Sequence, residues 1–342
     1  MSESRDFSVQ DILAVAATLY QRGLVVPFMG SGMSRPWCSS WPELLSRLSE
    51  LARFESTSFL EKRDDQSPLD SAALYRVAEK IVTAMRPLSR DRRNENYLYA
   101  LRSSDGAGGA IPPQTQALAQ IYWPIVVTTN YDDLYWSAVP EVRKPLILGR
   151  GREDCHILLR SLDESRPPVL WAIQGFLAGQ LMPAEKVISS RERRDSLSDQ
   201  VVLGHQQYQA AINETEHFRR AFGEIFRRRS LLFFGSGILE EYLVNLFGEI
   251  LHHHGPGPHT HFALLHIKDR EKFDRWFLET RLGITPVFYD DHSFITSFLT
   301  ELLKLVSGTP LSTDVAEHRS MFVKTERLGF QFCWCCSQPG AN

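Results

Sequence analysis

One kind of strand ending, met three times, constrains this chain more than any other feature. Leu24-Val25-Val26-Pro27-Phe28-Met29 runs into Gly30-Ser31-Gly32-Met33-Ser34, and Ile125-Val126-Val127 runs into Thr128-Thr129-Asn130-Tyr131-Asp132. Leu232-Phe233-Phe234 runs into Gly235-Ser236-Gly237. Short apolar runs without strict alternation are strands covered on both faces. Such strands belong to parallel sheets, whose strands must be joined by crossovers, usually helices.

Helical patterns do fall between the runs. Further strands are expected at Leu146–Leu148, Val169–Ile173, Leu231–Phe234, His261–His266 and Thr285–Tyr289. Helices are expected over Gln206–Arg228, Leu239–His252, Asp269–Leu282 and Ser293–Val306. Ser8 is placed to cap a first helix from Val9 to Arg22, closed by Gly23. The fold class is therefore α/β, a doubly wound, mostly parallel Rossmann-like sheet, in which ligands bind at the carboxyl ends of the strands.

From Trp41 to Tyr122 the pattern is nearly all helical. Leu44, Leu45, Leu48 and Leu51 form one stripe; Leu74, Val77, Ala78, Ile81 and Val82 form another. Residues 41–122 thus read as a helical insertion between two strands of the sheet. Residues 174–206 read as an irregular loop region, with Ser189–Asp195 an exposed loop. Beyond Gly308 periodicity is lost, which leaves one domain over 1–307 and a C-terminal tail over 308–342.

Several function classes are set aside by composition. The chain has 342 residues, 43% hydrophobic and 23% charged, with a net charge of −3, which gives no field to recruit nucleic acid. No apolar run reaches the ~18 residues a membrane span needs, and the N-terminus lacks a signal-peptide pattern, so a cytoplasmic protein is expected. Five cysteines at irregular spacing make no disulfide framework. Cys333, Cys335 and Cys336 suit tetrahedral zinc poorly, and His252, His253, His254, His259 and His261 sit where histidines commonly meet a helix dipole. No metal is expected. Arg219, Arg220, Arg227, Arg228 and Arg229 lack interleaved aromatics on one exposed face, and they read as a cationic helix end.

Each strand ending carries a chemical reading beside a structural one. The glycines of Gly30–Ser34 let backbone N–H groups approach a pyrophosphate, Ser31 and Ser34 add hydroxyls, and Arg35 is placed to pair with a phosphate; the alternative is a plain turn. A Walker-type Lys-Ser/Thr ending is missing, which leaves kinase-like chemistry without an anchor. Asn130 offers a donor and an acceptor suited to a ribose hydroxyl or a water. Asp132 either holds its own turn or receives a ribose hydroxyl. Gly235-Ser236-Gly237 repeats the glycine–serine logic, and Glu240 and Glu241 open the helix after it.

On these residues the chain resembles the sirtuin-like NAD-consuming proteins, especially their bacterial antiphage-defence branch, over about residues 20 to 305. Gly30–Ser34 resembles the family's first Gly-Ala-Gly-x-Ser loop, and Trp41-Pro42-Glu43-Leu44-Leu45 the segment after it. Thr128–Asp132 is similar to the Asn-Asp motif, and Gly235-Ser236 to the late turn at the adenosine half. His261–Leu265 and Tyr289-Asp290-Asp291-His292 are similar to the closing strands.

The resemblance implies an NAD glycohydrolase, the effector of an antiviral defence system, releasing nicotinamide and ADP-ribose when activated. The implied NAD-binding set is Gly30, Ser31, Gly32, Ser34, Arg35, Thr129, Asp132, Gly235, Ser236, Gly237 and Glu240, with Asn130 catalytic. It also implies control through a homo-oligomer or a sensor subunit. The four-cysteine zinc module of the protein-deacylating sirtuins is absent, which argues for NAD itself as the molecule consumed. At one place the chain departs from the family. Gln174 stands where the family carries a catalytic histidine, and glutamine cannot take a proton near neutral pH. The open readings are a weakened enzyme, an inactivating substitution at Gln174, another base such as His205, or a non-catalytic NAD- or ADP-ribose-binding regulatory subunit.

Overall fold

The computed structural model describes residues 9–52, 71–103, 110–164, 167–213, 216–235, 241–255, 257–272 and 274–307. Seven strands form one all-parallel sheet: β1 Val25–Met29, β2 Ile125–Thr128, β3 Leu146–Leu148, β4 Val169–Ala172, β5 Ser230–Phe234, β6 His261–His266 and β7 Ile284–Tyr289. Their order across the sheet is β3-β4-β2-β1-β5-β6-β7. The chain builds outward on one side of β1, then returns from β4 to β5 on the other side. β1 thus lies at the switch point of the strand order, with β2 on one side and β5 on the other. The fold is the expected doubly wound α/β class.

Alternation along each strand sends successive side chains to opposite layers. Val26, Phe28, Val127, Trp171, Phe233 and Ala263 join one buried cluster, under Arg152–Ser161, Glu216–Arg228 and Glu241–His254. Val25, Met29, Val126, Leu170, Leu232 and Leu264 join the other, under Val9–Gln21, Pro113–Gln120 and Ser293–Val306. Full burial of one such side chain stabilises by about 1.5–3 kcal/mol, so both faces hold the sheet strongly.

Pro27 sits in this central strand at little cost. The Met29 carbonyl accepts from Thr129 on the β2 side, so Pro27, two residues earlier, also faces β2. Pairing with β2 begins only at Phe28, so the bond that proline cannot donate is not needed.

A third cluster covers the carboxyl edge of the sheet. Helices Trp41–Leu51, Ser71–Met85 and Arg90–Leu101 bury Leu45, Leu48, Ala78, Ile81 and Ala100 against Leu134, Leu177 and Leu203. Ser40 caps the first of these through a reciprocal box with Glu43. Pro113–Gln120 instead packs on Ser293–Val306, with the sheet layer.

Two local expectations are corrected. Ser189–Asp195, expected as exposed loop, lies mostly in a helix, Arg191–Ser198: Ser190 caps Arg193, and Leu197 is fully buried. Its one apolar anchor left no periodicity to see. The expected helix Gln206–Arg228 is two described helices, His205–Asn213 and Glu216–Arg228. No helix among the described residues is long and apolar enough to cross a membrane.

Candidate active site

The turn after β1 is a single 3-10 turn, Ser31–Ser34. Gly30 N–H donates to the Phe234 carbonyl at 2.9 Å and Gly32 N–H to the Gly235 carbonyl at 3.0 Å. These two amides are engaged by the end of β5. A Cβ on Gly32 would lie 2.9 Å from the Gly235 Cα, and one on Gly235 only 2.7 Å from the Met33 nitrogen. Gly235 also has φ +57°. The glycines let two turns touch backbone to backbone.

At its other end the same turn reaches β2. The Ser34 hydroxyl donates to Asp132 Oδ2 at 2.7 Å and accepts from Asn130 Nδ2 at 2.9 Å. Asp132 Oδ1 accepts from the Leu134 amide at 3.1 Å, so Asp132 also holds its own turn. The Asn130 amide donates to Thr128 Oγ1 at 2.9 Å. With Nδ2 committed to Ser34, the amide orientation of Asn130 is fixed, and Oδ1 is buried without a partner among the described residues. An orphaned acceptor of this kind suits a ligand's hydroxyl or amide donor. Burial raises the pKa of Asp132, opposed by the bonds from Ser34 and Leu134.

These groups line a cavity of about 330 Å³. Ser31, Ser34, Asn130, Asp132, Thr129 and Gln174 make its polar side; Trp41, Leu44, Leu74, Tyr75, Leu101 and Tyr208 make the apolar side. Cys38 lines it too, its thiol pushed well up by burial and by the neighbouring Asp132. A thiol so raised is a weak nucleophile.

Gln174 follows β4 and is 3% exposed. Its backbone geometry is set by neighbours that the sequence does not announce. Gly175 has φ +92°, and a Cβ there would sit 2.4 Å from the Val201 nitrogen. The Val202 amide donates to the Gln174 carbonyl at 3.1 Å. Arg150, 9% exposed, donates to the carbonyls of Ile173 and Gln200 and so ties the end of β4 to this segment. Asp133, fully buried, accepts from the amides of Gly179, Gln180 and Leu181 at 3.1, 3.1 and 2.9 Å, anchoring the loop after Gln174. Burial pushes its pKa up to about 6, the Leu181 and Gly179 amides opposing and the nearby Asp132 adding to the rise. Neither Arg150 nor Asp133 was expected; adjacency to the Asn130 motif was the only signal for Asp133.

Two expected residues, Arg35 and His205, stand elsewhere. Arg35 turns to Glu43, 3.2 Å away, and to the Cys38 carbonyl. His205 packs edge-on to Tyr75 with ring centroids 5.7 Å apart, and it is not in the cavity wall. Thr129 lines the cavity while its hydroxyl donates to the Met29 carbonyl at 3.3 Å. Ser236, Gly237 and Glu240 lie outside the described residues, as do the tail and its three cysteines.

Among the described residues no group of three or more His, Cys, Asp or Glu could hold a metal. His261 is instead a core residue, stacked on Phe226 at 4.0 Å and accepting from the Leu231 amide. Most of the cationic helix end is engaged as well: Arg219 with Glu249, Arg227 with Glu224, Arg228 with Asp163, Arg229 with the Leu162 carbonyl.

A model of the SIR2-like domain matches residues 124–286, from the start of β2 into β7. The match covers Asn130, Asp132, Gln174 and Gly235. The chain thus carries a sirtuin-like domain, and its function is NAD-related and of sirtuin type, since SIR2-like domains use NAD. No curated protein matches the chain.

Proposed function

We propose that the protein is an NAD glycohydrolase that acts as the effector of a bacterial antiviral defence system. The observation that carries this reading is Asn130, whose carboxamide oxygen is buried, unpartnered among the described residues and locked by Ser34 in the wall of the cavity. The reaction adds the oxygen of water to the ribose carbon that bore nicotinamide, releasing nicotinamide, ADP-ribose and one proton. Asn130 Oδ1 accepts a hydrogen bond from a ribose hydroxyl or from the attacking water. Ser34 and Asp132 keep that oxygen facing inward. Ser31 and Thr129 supply further polar wall, and the aromatic side excludes bulk water.

Gln174 orients water through its amide but takes no proton. The loss of a positioned base lowers the rate by about 10²- to 10⁴-fold. Gln174→His in the full chain is therefore expected to raise nicotinamide release by at least about 10²-fold. Asn130→Ala in that background abolishes it. Gln174→His protein that releases no nicotinamide, alone or with candidate activator proteins, defeats the reading.

Gln174 itself favours a second reading, a cytoplasmic NAD- or ADP-ribose-binding subunit that works within an oligomer or beside a sensor protein. Calorimetry separates the two. The binding subunit holds NAD tightly without turnover, and Asn130→Ala changes affinity alone.

A further inference from the structure

A second cavity, of about 270 Å³, lies behind the loop that carries Gln174. Helices Ser71–Met85 and Arg90–Leu101 form two walls, and Ser198, Asp199, Val201 and Gln207 the third. Its lining is rich in donors: the guanidinium groups of Arg86 and Arg93, the Asn94 amide and the Tyr97 phenol. Asp199 is the one carboxylate among the lining residues described, and Arg90 already grips both its oxygens, at 2.8 and 2.6 Å.

Arg86 and Arg93 have no carboxylate partner among the described residues. Arg93 donates to the Leu88 carbonyl at 2.7 Å, which fixes the fork at the cavity wall. Arg93 also opposes the rise that burial causes in the pKa of Tyr97, so cation and phenol stand close together. Two unpaired guanidinium groups, a phenol and an amide around a small cavity form a set matched to phosphate oxygens.

The far wall leads to the candidate active site. The Asn94 amide donates to Ser198 Oγ at 3.1 Å, and the Val201 amide to the Ser198 carbonyl at 3.1 Å. Val202 then donates to the Gln174 carbonyl, and its own carbonyl accepts from the Tyr131 hydroxyl at 2.6 Å. Because the Val201 backbone presses on Gly175, a shift of this segment moves residue 174 with it. We propose that this cavity binds a small phosphate-bearing ligand and transmits its occupancy to Gln174 through residues 198–202. The site is separate from the NAD cavity, and it fills whether or not NAD is hydrolysed.

The test uses the full chain with inorganic phosphate as probe, followed by ³¹P relaxation in phosphate-free buffer, together with the side-chain amide resonances of Gln174. Binding is expected to be saturable and to shift the Gln174 resonances. Arg86→Gln, an exposed change, weakens it by about tenfold or more, the worth of one hydrogen bond to a charged group. Arg93→Gln weakens it similarly, Arg93→Lys less, and Asn130→Ala not at all. Absence of saturable binding overturns the proposal, as does binding that survives Arg86→Gln and Arg93→Gln together or falls with Asn130→Ala. Binding that leaves the Gln174 resonances unmoved overturns the transmission.

Discussion

Ser34→Ala is the sharpest test of the polar network. The hydroxyl is donor to Asp132 at 2.7 Å and acceptor from Asn130 at 2.9 Å, and all three side chains are buried. Alanine fits the space but leaves one amide hydrogen and one carboxylate oxygen without their partner. An unsatisfied buried group costs about 1–3 kcal/mol, more when charged, so the expected loss is about 2–4 kcal/mol at pH 8. The loss depends on pH with a definite sign. Asp132 already has a pKa above its unfolded value of 3.8, and the Ser34 bond restrains that rise. Without the bond the folded value climbs further. Well below pH 3.8 Asp132 is protonated in both folded and unfolded chains, and no ionisation penalty remains. As pH rises through the folded pKa the variant falls behind by about 1.4 kcal/mol for each unit of added shift. Urea unfolding at pH 4 and pH 8 measures both quantities, and calorimetric titration with NAD reports whether freeing Asn130 weakens binding. A loss under about 0.5 kcal/mol at pH 8, or an equal loss at both pH values, refutes the network as described.

Three further outcomes follow from the same geometry. Burial depresses His261 to about 3 and His259 to about 4, so their stabilising neutral forms are fully kept above the unfolded value of 6.5. Stability then falls as pH drops from 6.5, by up to about 1.4 kcal/mol per unit for each histidine, and acid unfolding of His261→Gln shows a shallower slope. Gly32→Ala, forced against the Gly235 backbone, costs about 1–3 kcal/mol, and Gly175→Ala costs more because its φ is left-handed as well; melting curves rank the two. Arg150→Met strands the carbonyls of Ile173 and Gln200, lowering stability by about 2–4 kcal/mol. In a Gln174→His background it lowers kcat more than it raises KM, because it loosens the placement of residue 174; steady-state nicotinamide release gives the split.

The sheet was legible because its strands are short apolar runs between glycine and polar punctuation, and all seven were bounded to within a residue at each end. The first helix and the last, Ser293–Val306, were legible from periodicity and from Gly23. Arg191–Ser198 was not, since Arg191-Glu192-Arg193-Arg194-Asp195 has no apolar face and its helix rests on a cap, ion pairs and Leu197. Arg150 and Asp133 escaped for a different reason. Each acts on backbone groups tens of residues away, and nothing in a local pattern marks a side chain whose partners are carbonyls or amides of another loop. The Arg35–Glu43 pairing was not legible, because a cation beside a glycine turn looks the same in sequence whether it meets a phosphate or a carboxylate.

The glycine turn after β1 shows how one short segment can serve two joints. Its residues do stand at the carboxyl edge, yet Gly30 and Gly32 give their amides to the end of β5. β1 is the strand from which the chain sets out in both directions, so its terminal turn has β2 on one side and β5 on the other. Four residues therefore serve two joints: Gly32 closes against Gly235, and Ser34, on the next face of the 3-10 turn, closes against Asn130 and Asp132. A side chain at 32 would wedge the first joint, and loss of the hydroxyl at 34 would unlock the second. The turn acts as the keystone between the two halves of the sheet. What it holds in place is a set of side chains, chiefly Asn130, whose carboxamide oxygen has no partner among the described residues.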